Sequence, residues 1–273
     1  MTAHRFYLPP ERCTCPTFEL DKREAHHALH VLRLKPGEPV TVLDGVGHEF
    51  TSEISGCSRE NVTLDVKQKN FIPEPPCSVT LLVAVPKAKL IESIIQKSVE
   101  LGTRRIVPLL TERVVTHLNA KDRIDKREKW QQVAIEAIKQ CGAAWLPKIE
   151  TPMPIVELLQ DRSGGRQTAG FTDTDGGFLP KATTQFDLSL VGSLQDDRRH
   201  PRECFEEFRS QHGRSPKSLA IWIGPEGDFT LDELKAIQAS GASPVSLGHL
   251  VLRVETAAIY CLSIVNYELQ VGF

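Results

Sequence analysis

Three short segments near the carboxyl end of the 273-residue chain combine residue types that can do chemistry. The first is Ile223-Gly224-Pro225-Glu226-Gly227-Asp228-Phe229-Thr230, which closes an apolar stretch and opens a helix. Glycines at 224 and 227 permit positive φ and close approach of backbone to a ligand. Such a turn can present bare N–H and C=O groups to a flat, hydrogen-bonding molecule, and the helix start beyond it favours anions. Gly-Pro turns also occur as plain connections between strand and helix. The second segment, Val245-Ser246-Leu247-Gly248-His249, is a short strand ending in glycine. In open α/β sheets, ligands gather outside the carboxyl ends of strands. The third, Leu250 to Ala258, carries Arg253 and Glu255 inside an apolar run just before a helix. These two can form a buried ion pair. They can equally supply a positive charge and a proton acceptor to a reaction.

The elements that must position these segments follow from periodicity. Val40–Leu43 running into Asp44-Gly45, Glu49–Ile54 and Val62–Val66 read as short strands, and Lys22–Leu32 as a helix. A small barrel with one helix fits residues 1–72. Pro73-Glu74-Pro75-Pro76 favours extended backbone and marks a linker over 73–76. From 77 to 273 the pattern changes. Val79–Val85 is an almost unbroken apolar run, as a strand buried on both faces requires. A helix over Lys87–Leu101 ends at Gly102, a strand follows at Ile106–Leu110, and a helix covers Lys126–Gln140. Strands at Asp187–Val191 and Leu219–Ile223 come next. The helix Leu231–Ser240 is punctuated by a Thr230/Glu233 capping box and Gly241. Pro244–Leu247 and Glu255–Leu269 complete an alternation of strands and helices. This predicts an α/β domain with a mostly parallel sheet covered on both faces. Residues 162–166 and 173–177 read as loops. The run from Gln195 to Arg202 mixes four arginine or histidine side chains with two aspartates.

Composition narrows the class of function. No apolar run is long enough to span a bilayer, and the start lacks the apolar core of a signal peptide, so a cytoplasmic protein is expected. The seven cysteines are scattered, without a second Cys/His pair at zinc spacing, so free thiols and no metal site are expected. A net charge of −2 argues against a surface coated in positive charge, while leaving room for local basic patches. No Gly-x-Gly-x-x-Gly follows the first strand of the α/β part, and no Gly-Lys-Ser/Thr loop exists, which removes the common nucleotide-binding signatures.

Taken together, the Gly-Pro-Glu-Gly, Ser-Leu-Gly and Leu-Arg-x-Glu-Thr-Ala segments resemble the SPOUT class of methyltransferases, and more narrowly the RsmE family. The likeness extends to His4-Arg5-Phe6-Tyr7, His30–Gly37, Asp44-Gly45, Lys87–Gly102, Pro108–Arg113 and Trp130–Gly142. It implies S-adenosylmethionine (SAM)-dependent methylation of N3 of a uridine in 16S ribosomal RNA, within the small subunit, by a homodimer. It also implies an N-terminal PUA-like RNA-binding β-barrel and a C-terminal SPOUT domain with a deep trefoil knot. By matched position, Ile223, Gly224, Pro225, Glu226 and Gly227 form one cofactor loop. Leu247 and Gly248 form the second, and Leu252, Arg253 and Val254 the third. Arg253 and Glu255 are the candidate catalytic residues, and Arg5, Arg33, Lys87 and Lys89 the candidate RNA contacts. Arg5 lies beside aromatic rings that can stack on a base or belong to the barrel core. Two positions depart from the family pattern: Asp228 replaces a glycine, and Ala143 an arginine. The rival readings are a knotted methyltransferase with a different RNA target and an inactive RNA-binding assembly factor.

Overall fold

The computed structural model describes residues 4–58, 61–86, 90–113, 118–160, 186–195 and 197–270. The chain divides into two compact units. One comprises 1–76, 95–104 and 128–148; the other comprises 77–94, 105–127 and 149–273.

The first unit is built on β1 (His4–Tyr7), β2 (Thr17–Glu19), β3 (Pro39–Leu43), β4 (His48–Cys57) and β5 (Val62–Phe71), in the order β1-β3-β4-β5-β2. Pairing is antiparallel from β3 through β4 and β5 to β2, and β1 runs parallel to β3. Register shifts between Thr51 and Ser52 and between Ile54 and Gly56 mark irregularities of the kind that bend a sheet. Alternating side chains, among them Phe6, Phe18, Val40, Val42, Phe50 and Leu64, fill the core. Helix α1 (Lys22–His26) is capped by Asp21, whose carboxylate accepts the Glu24 N–H, and it continues into a π-helical turn over His27–Val31. The expected β5 stops at Val66, where alternation fades. The actual strand reaches Phe71 because its backbone pairs with β4 past that point, although Lys67–Phe71 are exposed.

The second unit carries a seven-stranded sheet in the order β12-β10-β11-β6-β7-β8, with β9 also beside β7. Its strands are β6 (Ser78–Ala84), β7 (Arg105–Leu110), β8 (Lys148–Ile149), β9 (Met153–Pro154), β10 (Leu188–Gly192), β11 (Ser218–Ile223) and β12 (Ser243–Val245). The pairs β12–β10, β10–β11, β11–β6 and β6–β7 are all parallel, as the unbroken apolar runs predict. Its helices are α4 (Ile155–Gln160), α5 (Pro201–His212), α6 (Leu231–Ala239) and α7 (Val254–Gln270). Helices α2 (Leu90–Glu100) and α3 (Ala120–Cys141) contribute residues to both units. Helix α3 starts earlier than the expected Lys126, because Asn119 and Asp122 exchange a reciprocal start-of-helix bond pair. The loops read at 162–166 and 173–177 lie outside the described residues.

Asp187 secures the entry to β10. Its carboxylate accepts from Arg214 Nη1 at 2.7 Å and Nη2 at 3.1 Å, and from the Lys217 N–H at 2.7 Å. These bonds, Arg214's first, hold its pKa down to about 2 from the ordinary 3.8. A depressed carboxylate pKa contributes stability present above the unfolded value and lost as pH falls through the folded one. Replacing Asp187 with asparagine is expected to cost about 1 kcal/mol at neutral pH, after discounting for the exposed Arg214. Urea unfolding should show that difference vanishing between about pH 4 and pH 2. A difference that persists unchanged at pH 2 would assign it to packing.

Candidate active site

The parallel register brings three strand ends side by side. Val245 at the end of β12 pairs with Gly192 at the end of β10, and the neighbouring Val191 pairs with Trp222 of β11. The segments leaving β10, β11 and β12 therefore start from one edge of one sheet. Where they meet, a cleft opens, enclosing about 570 Å³ of space that is continuous with solvent.

From β11, the turn supplies Ile223, Gly224, Pro225 and Glu226 to the lining. A Cβ on Gly224 would lie 3.2 Å from the Asp228 carboxylate and from Phe229, so a side chain here would crowd the turn. From β12 come Leu247 and Gly248. Gly248 adopts φ +109°, a conformation open to glycine alone without strain, and its Cβ position is free of neighbours. Leu252 and Val254 line the cleft at the start of α7. The expected cofactor loops thus converge, with two exceptions. Gly227 points its carbonyl to the Arg113 guanidinium instead, and Arg253 is exposed and absent from the lining.

Asp228 occupies the left-handed region at φ +62°. Aspartate tolerates this better than most residues, because its side chain bonds locally. Here Oδ1 accepts the Phe229 N–H at 2.8 Å. The departure from glycine therefore keeps the turn's geometry.

The turn is anchored from behind by Glu233. Thr230 and Glu233 form the expected capping box of α6, with the Thr230 N–H donating to Oε2 at 2.9 Å. The other oxygen, Oε1, accepts the Glu112 N–H at 2.9 Å, tying the segment after β7 to the same helix start. Arg113 then reaches the Gly227 carbonyl. Replacing Glu233 with alanine would leave two N–H groups without their acceptor and is expected to cost about 2–3 kcal/mol. The same variant should bind ligands of the cleft more weakly, read by calorimetry. Full affinity in a destabilised protein would show that the cleft does not depend on this anchor.

Arg253 and Glu255 do not pair. Among the described residues neither side chain makes a hydrogen bond or ion pair, so the ion-pair reading of these two is not realised. Both flank the N-terminus of α7 beside the cleft lining.

The candidate RNA contacts fare differently. Arg5 is committed to structure: Nη1 donates to the carbonyls of Lys139 and Gln140 at 3.4 and 3.1 Å, capping the C-terminal end of α3. Gly142 follows at φ +81°, where a Cβ would meet that guanidinium at 2.9 Å. Phe6 is fully buried in the first unit's core, so it stacks on no base. Arg33 is exposed with φ +57°. Lys87 and Lys89 lie outside the described residues.

Sequence reasoning missed the contribution of β10. Gly192, Ser193, Leu194 and Arg198 line the cleft, as do Leu250, Val251, Asp228 and Ala257. Gly192 after an apolar strand was the available signal for a third strand-end turn. Leu250 and Val251 stand 67% and 73% exposed, which places them at the cleft's rim.

Comparison with known proteins decides the family. An RNA methyltransferase domain matches residues 73–266, and an RNA methyltransferase PUA domain matches 20–67. The chain belongs to the RNA methyltransferase family. The resemblance to RsmE proteins holds along nearly the whole length. Ribosomal RNA small subunit methyltransferase E of Synechocystis is 28% identical over 98% of this chain and 78% of its own. The Bacillus subtilis protein of the same name is 28% identical over 93% of this chain and 91% of its own. A Legionella pneumophila structure solved with bound SAM is 27% identical, covers 100% of this chain and 98% of its own, and superposes with a TM-score of 0.79. The cleft at the strand ends lies within the segment matched by the methyltransferase domain. Among the described residues, no helix is long and apolar enough to cross a membrane, and no group of three His, Cys, Asp or Glu side chains could hold a metal.

Proposed function

We propose that this protein uses SAM to methylate N3 of a uridine in 16S ribosomal RNA, acting as a cytoplasmic homodimer on the small subunit. The observation that carries the reading is the convergence of three strand-end segments on one cleft inside the methyltransferase domain. Relatives spanning the chain's length are named as small-subunit ribosomal RNA methyltransferases, and the Legionella structure holds SAM.

The cleft's residues fit such a ligand. Ile223, Pro225, Leu247 and Leu252 offer apolar surface to a flat base, while the turns at Gly224 and Gly248 bring backbone polar groups close. Bound there, SAM supplies an activated methyl group on a sulfonium. The protein's part is to hold the uracil N3 in line and to exclude water, which alone yields a large share of a rate. N3 of uridine is protonated at neutral pH. A carboxylate oxygen of Glu255 accepts that proton in this reading, and the Arg253 guanidinium stabilises the uracil anion as it forms. The target base must be freed from pairing before N3 can be reached.

Three features belong to the same proposal. Residues 1–72 form the PUA-like RNA-binding domain, 73–76 the linker and 77–273 the SPOUT domain; the matches over 20–67 and 73–266 support a two-domain division. In this reading the chain around the cleft carries the deep trefoil knot of the SPOUT class; α7, which follows β12, packs on β11 and β6. Tyr260 and Tyr267, exposed on α7, are available to a second copy.

The test supplies labelled SAM with either free 16S RNA or small subunits lacking the modification, and then maps the methyl group by mass spectrometry. A methyl on N3 of one uridine is expected. Transfer to another atom or base would replace the substrate assignment, and absence of both SAM binding and transfer would leave an RNA-binding assembly factor.

A further inference from the structure

The mixed run from Gln195 to Arg202 plays no part in the mechanism above, and its charged side chains are not equivalent in the fold. Arg199 Nη1 pairs with Glu207 at 2.7 Å. His200 caps α5, its Nδ1 accepting the Arg202 N–H at 3.2 Å. Arg202 Nε reaches Glu268 at 2.9 Å, and Asp197 accepts from Gln238 at 3.1 Å. Arg198 differs from all of these. It is half-buried, lines the cleft, and has no hydrogen-bond or ion-pair partner among the described residues.

We propose that Arg198 recognises the carboxylate at the amino-acid end of the methyl donor, a role that rests on the SAM reading of this cleft. Two observations point there. The first is charge. Among the described lining residues, Arg198 is the cation, Glu226 and Asp228 are the anions, and the others are uncharged. A phosphate group would meet two carboxylates together with the arginine and would be repelled by them. A zwitterionic amino acid satisfies both signs, its carboxylate facing the guanidinium and its ammonium facing Glu226. The planar fork of arginine also matches a carboxylate with two parallel hydrogen bonds. The second is position. The Arg199 N–H donates to the Pro244 carbonyl at 3.0 Å, and the Ser246 N–H donates to the Arg199 carbonyl at 2.8 Å. These bonds attach the run to the edge strand β12, immediately before Leu247 and Gly248 of the second cleft turn. Arg198 is thus held at the cleft by backbone pairing rather than by a flexible loop, so little order has to be created on binding.

The experiment measures binding by calorimetry with two ligands, SAM and decarboxylated SAM, which lacks only the carboxylate. The wild-type protein is expected to bind SAM about tenfold more tightly, the value of a charge-assisted hydrogen bond at a half-exposed site. Arg198→Met should remove that preference while leaving the affinity for decarboxylated SAM unchanged, and Arg198→Lys should restore part of it. The preference should also shrink as salt is raised. If Arg198→Met weakens both ligands equally, or keeps the preference, the proposal is overturned. If the variant instead loses affinity for 16S RNA with the preference intact, Arg198 serves the substrate and the proposal is likewise overturned. A wild-type protein that binds neither ligand would sink the SAM reading itself, a result distinct from the loss of discrimination in one variant.

Discussion

Replacing Arg253 with methionine is expected to slow single-turnover methyl transfer by roughly 10²–10³-fold, the usual cost of removing one group that stabilises charge in a transition state. SAM affinity should stay within about twofold, because a side chain that makes no ground-state contact with the ligand contributes nothing to its binding. The structure separates these two outcomes unusually well. The Arg253 side chain is exposed, lies outside the cleft lining and is bonded to no described residue, so no local scaffold depends on it. Its neighbour Val254 lines the cleft at the first position of α7, which keeps Arg253 within a residue of the ligand. Glu255→Gln should act in the same direction, by about 10²-fold or more if the carboxylate takes the N3 proton. Rapid-quench transfer assays beside calorimetry distinguish the possibilities. Parallel losses of transfer and of SAM binding in Arg253→Met would assign the residue to the third turn's architecture and leave the chemistry without its proposed cation.

Much of this site is legible in the sequence because local rules govern it. Thr230 and Glu233 announce a helix start from their spacing alone, and the capping box forms as written. Gly224 and Gly248 mark turns that other residues would strain or crowd, and both line the cleft. Parallel strands buried on two faces read as apolar runs, so β6, β7 and β11 are visible without any partner in view. What stays hidden depends on partners far away in the chain. Nothing near Arg5 says that its guanidinium will close a helix ending more than 130 residues later. Arg198 looks like any other charge in a polar run until Arg199, His200 and Arg202 are each found engaged and it is not. Glu233 is recognisable as half of a cap, yet its second oxygen holds Glu112, 121 positions away in the chain. Long-range polar bonds leave no period in a sequence.

Lys139 is the clearest such case, and its removal carries the largest expected effect on stability. On α3 the apolar stripe of Ala134, Ala137 and Ile138 would place a lysine at the margin, facing solvent. Instead Lys139 is buried with Glu24, their side chains 7% and 6% exposed, and Nζ donates to Glu24 Oε1 at 2.7 Å. Glu136 Oε2 adds a second acceptor at 3.1 Å. Burial raises the Glu24 pKa above its usual 4.5, while the hydrogen bond and charge of Lys139 pull it back down. Its other oxygen, Oε2, is buried without a protein partner. Lys139→Met therefore strands a carboxylate in the first unit's interior, which costs about 3–5 kcal/mol when one member of a buried pair is removed. The cost should depend on pH in a defined direction. A raised carboxylate pKa favours the folded state below the unfolded value, and that contribution is lost as pH rises through the folded one. Without lysine the Glu24 pKa climbs further, so the penalty should grow from pH 5 to pH 8 in urea unfolding. The double variant Glu24→Met, Lys139→Met should recover most of the loss, since an apolar pair of similar volume leaves no charge to desolvate. If the double variant is as unstable as Lys139→Met alone, the loss comes from packing around α3, and the ion pair does not hold α3 to α1.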